Sequence, residues 1–581
     1  MKEQPNQSCD VLVIGGGSAG LRAAIEAHDQ GVNVLIISKS KTRDPHTVLA
    51  RGGINAALGT MDPQDNWMVH AADTLKEGEF LADYERVEIL CRNAPEAVNE
   101  LVRWGARFHR ETDGRLTQRF FGAHTYRRTV FYQDWTGQEM IRVLMQQIDQ
   151  RNIPILDNIY ITKLLKTNSD GEICGALGID IGKREIVEFK CKSLVLAAGG
   201  YTRVYSVSSS RSFENYGEGI ALAFEAGADL VDMEMVQFHP TGMVWPEKAL
   251  GTLATEAIRG EGGILLNSKD ERFMKNYYPE RMELGPRDVV ARAIYNEIIS
   301  GRGTKHGGVW LDVTHLSKER IMDRLPTMYE QFKTLAGVDI STERMEVGPT
   351  AHYSMGGVAV DAKCRTKVSG LIAVGEVMSQ IHGANRLGGN SLLDTMVFGK
   401  IAGAEAATLA KERSEIETPT EMNLKNRSDL GLFIVDDPIN LRDKMQEIMV
   451  LNAGIVRNRT KLEEGLAKIL ELKNIYYKGQ GVSIDSKNPD YESLNSLWQV
   501  KSSLFVCETI IRSALNRQES RGAHFRADFP KIDDVNWKVN IFCRKNGEQI
   551  ELYKRNVKEV SGSLAKFLKE HIKAEHQREF E

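Results

Sequence analysis

The chain has 581 residues, 42% of them hydrophobic, and a formal net charge of −4 at pH 7. This length exceeds what one compact core accommodates, so we expect several domains. The small negative charge argues against a nucleic-acid-binding protein, because phosphate binding depends on a large, clustered excess of Lys and Arg.

The first predicted element is a βαβ unit. Residues 11–14 predict a buried strand, residues 19–29 a helix and residues 34–37 a second strand. Between the first strand and the helix, Gly15, Gly17 and Gly20 have the spacing that lets a helix N-terminus approach a pyrophosphate, with Ser18 and Ala19 in the same turn. This order predicts an NAD or FAD site in a doubly wound α/β fold.

The end of the second strand departs from the usual dinucleotide pattern. An acidic residue commonly binds the adenosine ribose there, whereas here Ile37 is followed by Ser38 and Lys39. We expect Ser38 to contact the ribose, with Lys39 beside it.

Two later apolar runs, at 194–198 and 371–374, predict further buried strands that end in ligand-facing turns. These turns are Ala198-Gly199-Gly200 and Gly375-Glu376. Because the runs lie far from the βαβ unit in sequence, we expect the dinucleotide domain to be discontinuous.

The pattern of apolar and charged residues changes after about residue 411. Apolar residues recur at three- and four-residue spacing over 441–451 and 459–476, which predicts a helical bundle. Residues 536–553 alternate apolar and polar side chains and predict a hairpin around Lys545-Asn546-Gly547, followed by a charged terminal helix.

The seven cysteines lie far apart, at none of the spacings that iron–sulfur or zinc sites use. We therefore expect buried, reduced thiols and no metal site in this chain. The sequence also lacks the run of about eighteen apolar residues that a membrane span needs, and the basic start and apolar core of a signal peptide. Any association with a membrane is expected to come through a partner.

Six segments, taken in order, point to one family. They cover residues 15–20, 46–48, 237–242, 255–263, 287–292 and 382–391. The set resembles the flavoprotein subunit of succinate dehydrogenase and fumarate reductase, from about residue 9 to about residue 407. The resemblance implies a Rossmann-like FAD-binding domain (1–236 and 352–412) with an inserted α+β capping domain (237–351), then a helical domain (425–535) and a C-terminal segment (536–581).

The resemblance also implies FAD joined covalently to His46, whose imidazole would withdraw electrons from the flavin and raise its reduction potential. Its implied FAD-binding residues are Gly15, Gly17, Ser18, Ala19, Gly20, Ser38, Lys39, His46, Thr47, Gly52, Gly53, Ala198, Gly199, Glu218, Glu376, Asn390, Ser391 and Leu392. The chain departs from the family at Pro45, Arg51 and Glu218, where Ser, Gln or Glu, and Asp are usual. We hypothesise that the Arg51 cation stabilises the anionic reduced flavin.

A dicarboxylate substrate is implied in the same way, with a hydride exchanged at flavin N5 and a proton at the neighbouring carbon. The implied substrate-binding residues are Phe121, His239, Thr255, His352 and Arg386. Arg287 matches the proton-transferring arginine of the family. Because the pKa of a free arginine lies above about 12, a carboxylate must relay its proton, and Glu256 and Arg259 match that relay.

The leading interpretation is a subunit that interconverts succinate and fumarate and passes electrons to a separate iron–sulfur subunit. Such a subunit is expected in the cytoplasm, held peripherally at the inner face of the membrane through its partners. The alternative enzyme is an L-aspartate oxidase, whose flavoprotein shares this scaffold but lacks the tethering histidine and carries an acid near Phe120 or Phe121. A non-enzymatic flavin-binding electron-transfer module would lack the carboxylate-binding set, which is complete here. The direction of the reaction and the final electron carrier stay open.

Overall fold

The computed structural model describes residues 7–40, 44–167, 170–183, 185–415, 433–481 and 491–578. The strands of this part of the chain are β1 (Gln7–Ile14), β2 (Val34–Ile37), β3 (Ile54–Asn55), β4 (Gln118–Arg119), β5 (Thr129–Val130), β6 (Ile155–Leu156), β7 (Ile159–Lys166), β8 (Ile173–Asp180), β9 (Glu185–Leu196), β10 (Leu230–Val231), β11 (Val236–Met243), β12 (Ile264–Leu266), β13 (Val309–Asp312), β14 (Met345–Ser354), β15 (Gly357–Val358), β16 (Leu371–Ala373), β17 (Phe433–Ile434), β18 (Gln480–Gly481), β19 (Val539–Asn546) and β20 (Gln549–Asn556).

The α-helices of the same residues are α1 (Ser18–Asp29), α2 (Trp67–Glu77), α3 (Tyr84–Arg103), α4 (Thr136–Gln150), α5 (Glu218–Glu225), α6 (Glu256–Gly260), α7 (Met274–Tyr277), α8 (Arg287–Glu297), α9 (Lys318–Arg324), α10 (Pro326–Ala336), α11 (Asn390–Glu412), α12 (Pro438–Ala453), α13 (Arg459–Lys478), α14 (Tyr491–Asn516), α15 (Asp534–Trp537) and α16 (Gly562–Arg578).

The largest sheet has the order β6-β2-β1-β9-β8-β7, and β16 pairs with the second half of β9. Strands β6, β2, β1, β9 and β16 run parallel, whereas β8 and β7 are added in antiparallel fashion. Residues 11–14 and 34–37 are all buried, which is typical of a parallel sheet covered by helices. Helix α1 packs against α11. The predicted βαβ unit and the two later strands are confirmed.

A second, antiparallel sheet has the order β11-β14-β13-β12 and carries α6 to α10. It has its own apolar core, which includes Leu265, Ile294, Leu311 and Phe332. We call residues 236–354 the cap. Among the hydrogen bonds that join the cap to the rest of the molecule, Met328 N donates to Asp134 Oδ2 (3.1 Å), and Arg51 Nη1 donates to Gln331 Oε1 (2.7 Å). The cap therefore closes over the turn that carries Arg51.

Helices α12, α13 and α14 pack against one another and form the predicted bundle. Strands β19 and β20 form the predicted hairpin, and β19 pairs with β10 in a sheet of order β15-β10-β19-β20. The predicted terminal helix is α16, which packs on α2. The predicted start of the helical domain at residue 425 and the end of the C-terminal segment at residue 581 lie outside the described residues.

All seven cysteines are buried and free. Across the described ranges, no helix is both long enough and apolar enough to cross a membrane.

Candidate active site

A deep cleft opens between the large sheet and the cap. Its empty volume, including its open mouth, is about 1760 Å³. The predicted site residues line it, with the exceptions of Gly20, Arg259 and Asn390. One cleft thus brings together residues that lie up to 377 positions apart, from Gly15 to Leu392.

The glycine turn between β1 and α1 brings three backbone segments into close contact. Gly15 has a φ of +123°, and a Cβ at this position would lie 2.1 Å from the carbonyl oxygen of Ala197. A Cβ on Gly20 would lie 2.0 Å from the oxygen of Gly15, so Gly20 serves helix–strand packing rather than the cleft wall. Helix α1 begins after Gly17, which has no side chain to cap it. The Ser18 N–H donates to Thr47 Oγ1 at 3.3 Å, and the amides that follow it can bind an anion.

The cleft next to β2 has a paired charge that the sequence did not reveal. Lys39 Nζ lies 2.6 Å from Glu218 Oε1, and the Tyr160 hydroxyl donates to the same oxygen at 3.2 Å. Glu218 Oε2 accepts the backbone N–H of Tyr216 at 3.1 Å. The extra methylene of Glu218 is thus accommodated by contacts to Lys39, Tyr160 and its own turn. Tyr160 was not predicted, because nothing in its local sequence distinguishes it from a core tyrosine.

His46 opens a short 3-10 helix, His46–Leu49, and lines the cleft. Its Nδ1 lies 2.8 Å from Glu214 Oε1. Burial works against the imidazolium, but the Glu214 carboxylate raises the pKa of His46 above its ordinary value. Burial likewise opposes ionisation of Glu214, yet His46 and Arg211 lower the pKa of Glu214 to about 2. Glu214 therefore fixes Nδ1 of His46 as a hydrogen-bond donor, and Nε2 is the ring nitrogen that this contact does not occupy.

Two more helices begin at the cleft without side-chain caps: α5 after Gly217 and α11 after Gly389. Glu376 accepts the N–H and the hydroxyl of Ser354, both at 3.0 Å, and burial raises the pKa of Glu376. Asn390 stands behind the wall, where its Oδ1 accepts from Asn55 Nδ2 (2.8 Å) and contacts His70 Nε2 (2.9 Å).

These features fit FAD. A glycine turn admits a pyrophosphate, uncapped helix ends supply amide donors, and one cleft is lined both by Ser38, after the second strand, and by Arg386, at its substrate end. Arg51 also lines the cleft, although its guanidinium is held by Gln331 of the cap. Its proposed effect on the reduced flavin stays a prediction.

An ion pair lies where β11, α6 and α8 meet. Arg287 donates to Glu256 Oε2 through Nη2 (2.5 Å) and Nε (2.9 Å), and Gly122 N donates to Glu256 Oε1 (2.9 Å). Both side chains are buried. Burial opposes the charge on Glu256, but Arg287 and Arg259 lower the pKa of Glu256 to about 2. Glu256 is therefore an ionised partner in direct contact with the predicted proton-transferring arginine.

Gln237 joins two arginines and was missed by the sequence reasoning. Its Oε1 accepts from Arg287 Nη1 and from Arg386 Nη2, both at 3.0 Å. Gln237 and His239 are two positions apart on β11 and so face the same side of the strand. The strand alternation would therefore have predicted that Gln237 lies on the same face as His239, at the substrate end of the cleft.

His239 and His352 face each other with ring centroids 5.2 Å apart. The Nδ1 of His239 accepts from Thr241 N (3.2 Å), which places its proton on Nε2, and His352 Nδ1 contacts the Ser209 hydroxyl (2.8 Å). Burial lowers the pKa of both rings well below the ordinary value, with help from Arg287. Both imidazoles are therefore neutral at pH 7.

Arg386 lies over the Tyr353 ring, 4.5 Å from its centroid, and its Nε is buried without a hydrogen-bond partner among the described residues. Burial, and then repulsion from Arg287, lowers the pKa of Arg386 to about 9, so the side chain keeps its charge at pH 7. A charged, incompletely satisfied guanidinium is suited to a carboxylate ligand.

Phe121 and Thr255 complete the substrate end of the cleft. Phe121 is buried, and a Cβ on Gly52 would lie 2.7 Å from its ring. Thr255 caps α6 through its hydroxyl, which accepts from Ala257 N at 3.4 Å. Arg259 lies behind the cleft wall, where its Nη1 donates to the carbonyl of Glu283 at 2.5 Å. Its Nε and Nη2 are buried without hydrogen-bond partners in the described part of the chain.

Comparisons with known proteins agree with this geometry. A family profile described as an FAD binding domain matches residues 10–392, and one described as the fumarate reductase flavoprotein C-term matches residues 442–566. One of the subunits of the fumarate reductase (CoM/CoB) of Methanothermobacter marburgensis is 45% identical over 543 residues, which cover 93% of this chain and 98% of the relative. The succinate dehydrogenase flavoprotein subunit of Rickettsia bellii is 38% identical over 558 residues, covering 91% of each chain. A solved structure of FrdA, from the quinol fumarate reductase of E. coli, is similar with a TM-score of 0.89 at 32% identity, covering 97% of this chain and 99% of that one.

Proposed function

The chain belongs to the family of succinate dehydrogenase and fumarate reductase flavoprotein subunits and is an FAD-dependent oxidoreductase; from this premise we propose that it interconverts succinate and fumarate. FAD supplies reversible hydride exchange with a substrate carbon. The observation that carries the proposal is the shared contact of Arg287 and Arg386 with Gln237, beside the Glu256 ion pair.

In this proposal the residues divide the work between binding and proton transfer. Arg386, His239, His352 and Thr255 bind the two carboxylates, and Phe121 forms an apolar wall. Arg287 exchanges the proton with the substrate carbon, while Glu256 and then Arg259 relay it. The cap keeps water from the reacting atoms.

The functional test is steady-state turnover in both directions, because relatives with either name are similar to this chain. We expect Arg287→Lys to lower kcat at least about 100-fold, since lysine lacks the planar fork that pairs with Glu256 while it contacts substrate. Arg302→Lys, at a partly exposed pair with Glu297 on the far end of α8, is the control and retains activity.

Wild-type kcat in the Arg287→Lys enzyme would contradict the assigned role. L-Aspartate is expected to give no turnover, because the wall is the buried ring of Phe121 rather than an acid. Turnover of aspartate instead of succinate would replace the proposed reaction by an amino-acid oxidation.

We propose further that His46 tethers FAD covalently. Its support is that His46 lines the cleft and that Glu214 occupies Nδ1, which leaves Nε2 for a bond to the flavin. When the protein is precipitated in acid, we expect flavin absorbance in the pellet of the wild type and of His28→Ala, a control at a partly exposed histidine outside the cleft, but not of His46→Ala. Release of all flavin from the wild-type pellet would refute the tether and leave the proposed reaction standing.

Electrons are proposed to pass to a separate iron–sulfur subunit, through which the chain reaches the inner face of the cytoplasmic membrane. Support comes from the names of the relatives, which describe subunits of fumarate reductase and succinate dehydrogenase.

A further inference from the structure

A chain of hydrogen bonds continues from the two arginines into the interior, away from the cleft. Gln237, whose Oε1 accepts from both guanidiniums, donates through Nε2 to Asn385 Oδ1 (2.7 Å) and to the backbone carbonyl of Arg386 (2.9 Å). Because a carbonyl oxygen can only accept, these contacts orient the Gln237 amide with its oxygen toward the arginines.

Asn385 repeats this arrangement one step further from the cleft. Its Nδ2 donates to Glu77 Oε1 at 2.7 Å and to Asp288 Oδ1 at 2.8 Å. Asn385, Glu77 and Gln237 are all buried. If Asn385 were reversed, its oxygen would face the carboxyl groups of Glu77 and Asp288, and its NH₂ would face the NH₂ of Gln237, so the hydrogen bond to Gln237 would be lost.

We propose that Glu77 is a positioning residue for the dicarboxylate-binding arginines, acting through Asn385 and Gln237. Together with Asp288, its acceptor oxygen holds Asn385 in the orientation that keeps the Gln237 carbonyl on Arg287 and Arg386. The inference rests on the proposed function, because it takes these arginines as the dicarboxylate site.

The environment of Glu77 favours the neutral acid. Burial raises the pKa of Glu77 well above its ordinary value, Asp288, Glu256 and Glu79 raise it further, and Arg287 opposes them. Glu77 is also the last residue of α2, where the helix dipole disfavours a negative charge. A neutral carboxyl offers Asn385 one carbonyl oxygen, as does the amide of glutamine. Glutamine is therefore the conservative replacement and leucine the disruptive one.

The test measures the affinity of the holoprotein for malonate, a dicarboxylate that lacks the two-carbon unit to be oxidised. Malonate is titrated into the protein, and the change in flavin absorbance reports binding. Glu77→Leu loses a buried hydrogen-bond acceptor. We expect this variant to bind malonate about tenfold more weakly and to have a KM for succinate that is about tenfold higher. Glu77→Gln is expected to regain most of that loss. Glu79→Leu removes a carboxyl from the same turn that is not a described acceptor of Asn385, and it binds malonate as the wild type does. The isosteric Asn385→Asp loses the donor to Glu77 and weakens binding like Glu77→Leu, and it serves where the leucine variant fails to retain flavin.

Wild-type affinity in Glu77→Leu or in Asn385→Asp would overturn the inference. So would a Glu77→Gln protein as weak as Glu77→Leu, because the acceptor oxygen would then be irrelevant. Either result, together with a wild type that turns over succinate or fumarate, overturns the inference alone. A wild type that neither turns over these substrates nor binds malonate overturns the proposed function and the inference together.

Discussion

Glu79 lies in the turn after α2 with a left-handed φ of 50°. Burial, and then the neighbouring Asp288, raises the pKa of Glu79 to about 7, while Arg521 opposes them. A carboxyl whose pKa is raised by folding binds its proton more tightly in the native state. Its contribution to stability is therefore complete below its ordinary pKa of 4.5 and is lost as the pH rises through about 7.

We expect Glu79→Gln to gain stability relative to the wild type as the pH rises from 5 to 8. Up to about 1.4 kcal/mol of the free energy of unfolding is at stake for each pH unit between the two pKa values. Thermal unfolding at pH 5 and pH 8 checks this, with the exposed Glu319→Gln as the control. A stability difference between Glu79→Gln and the wild type that is the same at both pH values would show that Glu79 is ionised in the native state throughout this range.

At the scale of elements, the cleft is built from helix starts. Helices α1, α5 and α11 begin after Gly17, Gly217 and Gly389, and none of the three has a side-chain cap. A side-chain cap would occupy the amides that an anionic ligand needs. The absence of caps therefore lowers the stability of these helices, and hydrogen bonds from their first amides to bound FAD offset this loss.

Gly15→Ala tests how closely these elements approach. We expect loss of FAD binding and of several kcal/mol of stability, because a Cβ would lie 2.1 Å from the Ala197 oxygen in a backbone with φ +123°. Gly31→Ala is the matched control: its φ is +82°, but no atom lies within 4 Å of the added Cβ, so only about 1 kcal/mol is at stake. Flavin content and thermal unfolding check both variants. Equal losses in Gly15→Ala and Gly31→Ala would mean that the positive φ, rather than the contact with Ala197, causes the loss of stability.

At the scale of the whole molecule, the fold class was predictable and is confirmed by the similarity to FrdA over 97% of the chain. The strands and the glycine turn were predictable because burial and spacing are local signals in the sequence. The helical bundle and the hairpin followed from periodicity in the same way.

The contacts that complete the site were not predictable from one sequence. His46 meets Glu214 across 168 residues, and Glu77 meets Asn385 across 308. An acid has the same local signature whether it lies on the surface or beside a buried histidine. The motif residues thus marked the cleft wall, whereas Glu214, Gln237 and Glu77 became visible only once the chain was folded.

The turn that holds Glu218 is supported from behind by the helical bundle. Trp498 of α14 stacks on Tyr160 with ring centroids 4.4 Å apart, Ser503 Oγ donates to the Tyr216 carbonyl (3.2 Å), and a Cβ on Gly217 would lie 2.6 Å from Val506. These residues of α14 are synthesised hundreds of residues after the glycine turn. We therefore expect the nucleotide pocket to be incomplete for most of the synthesis of the chain, and stable FAD binding to follow the docking of α14.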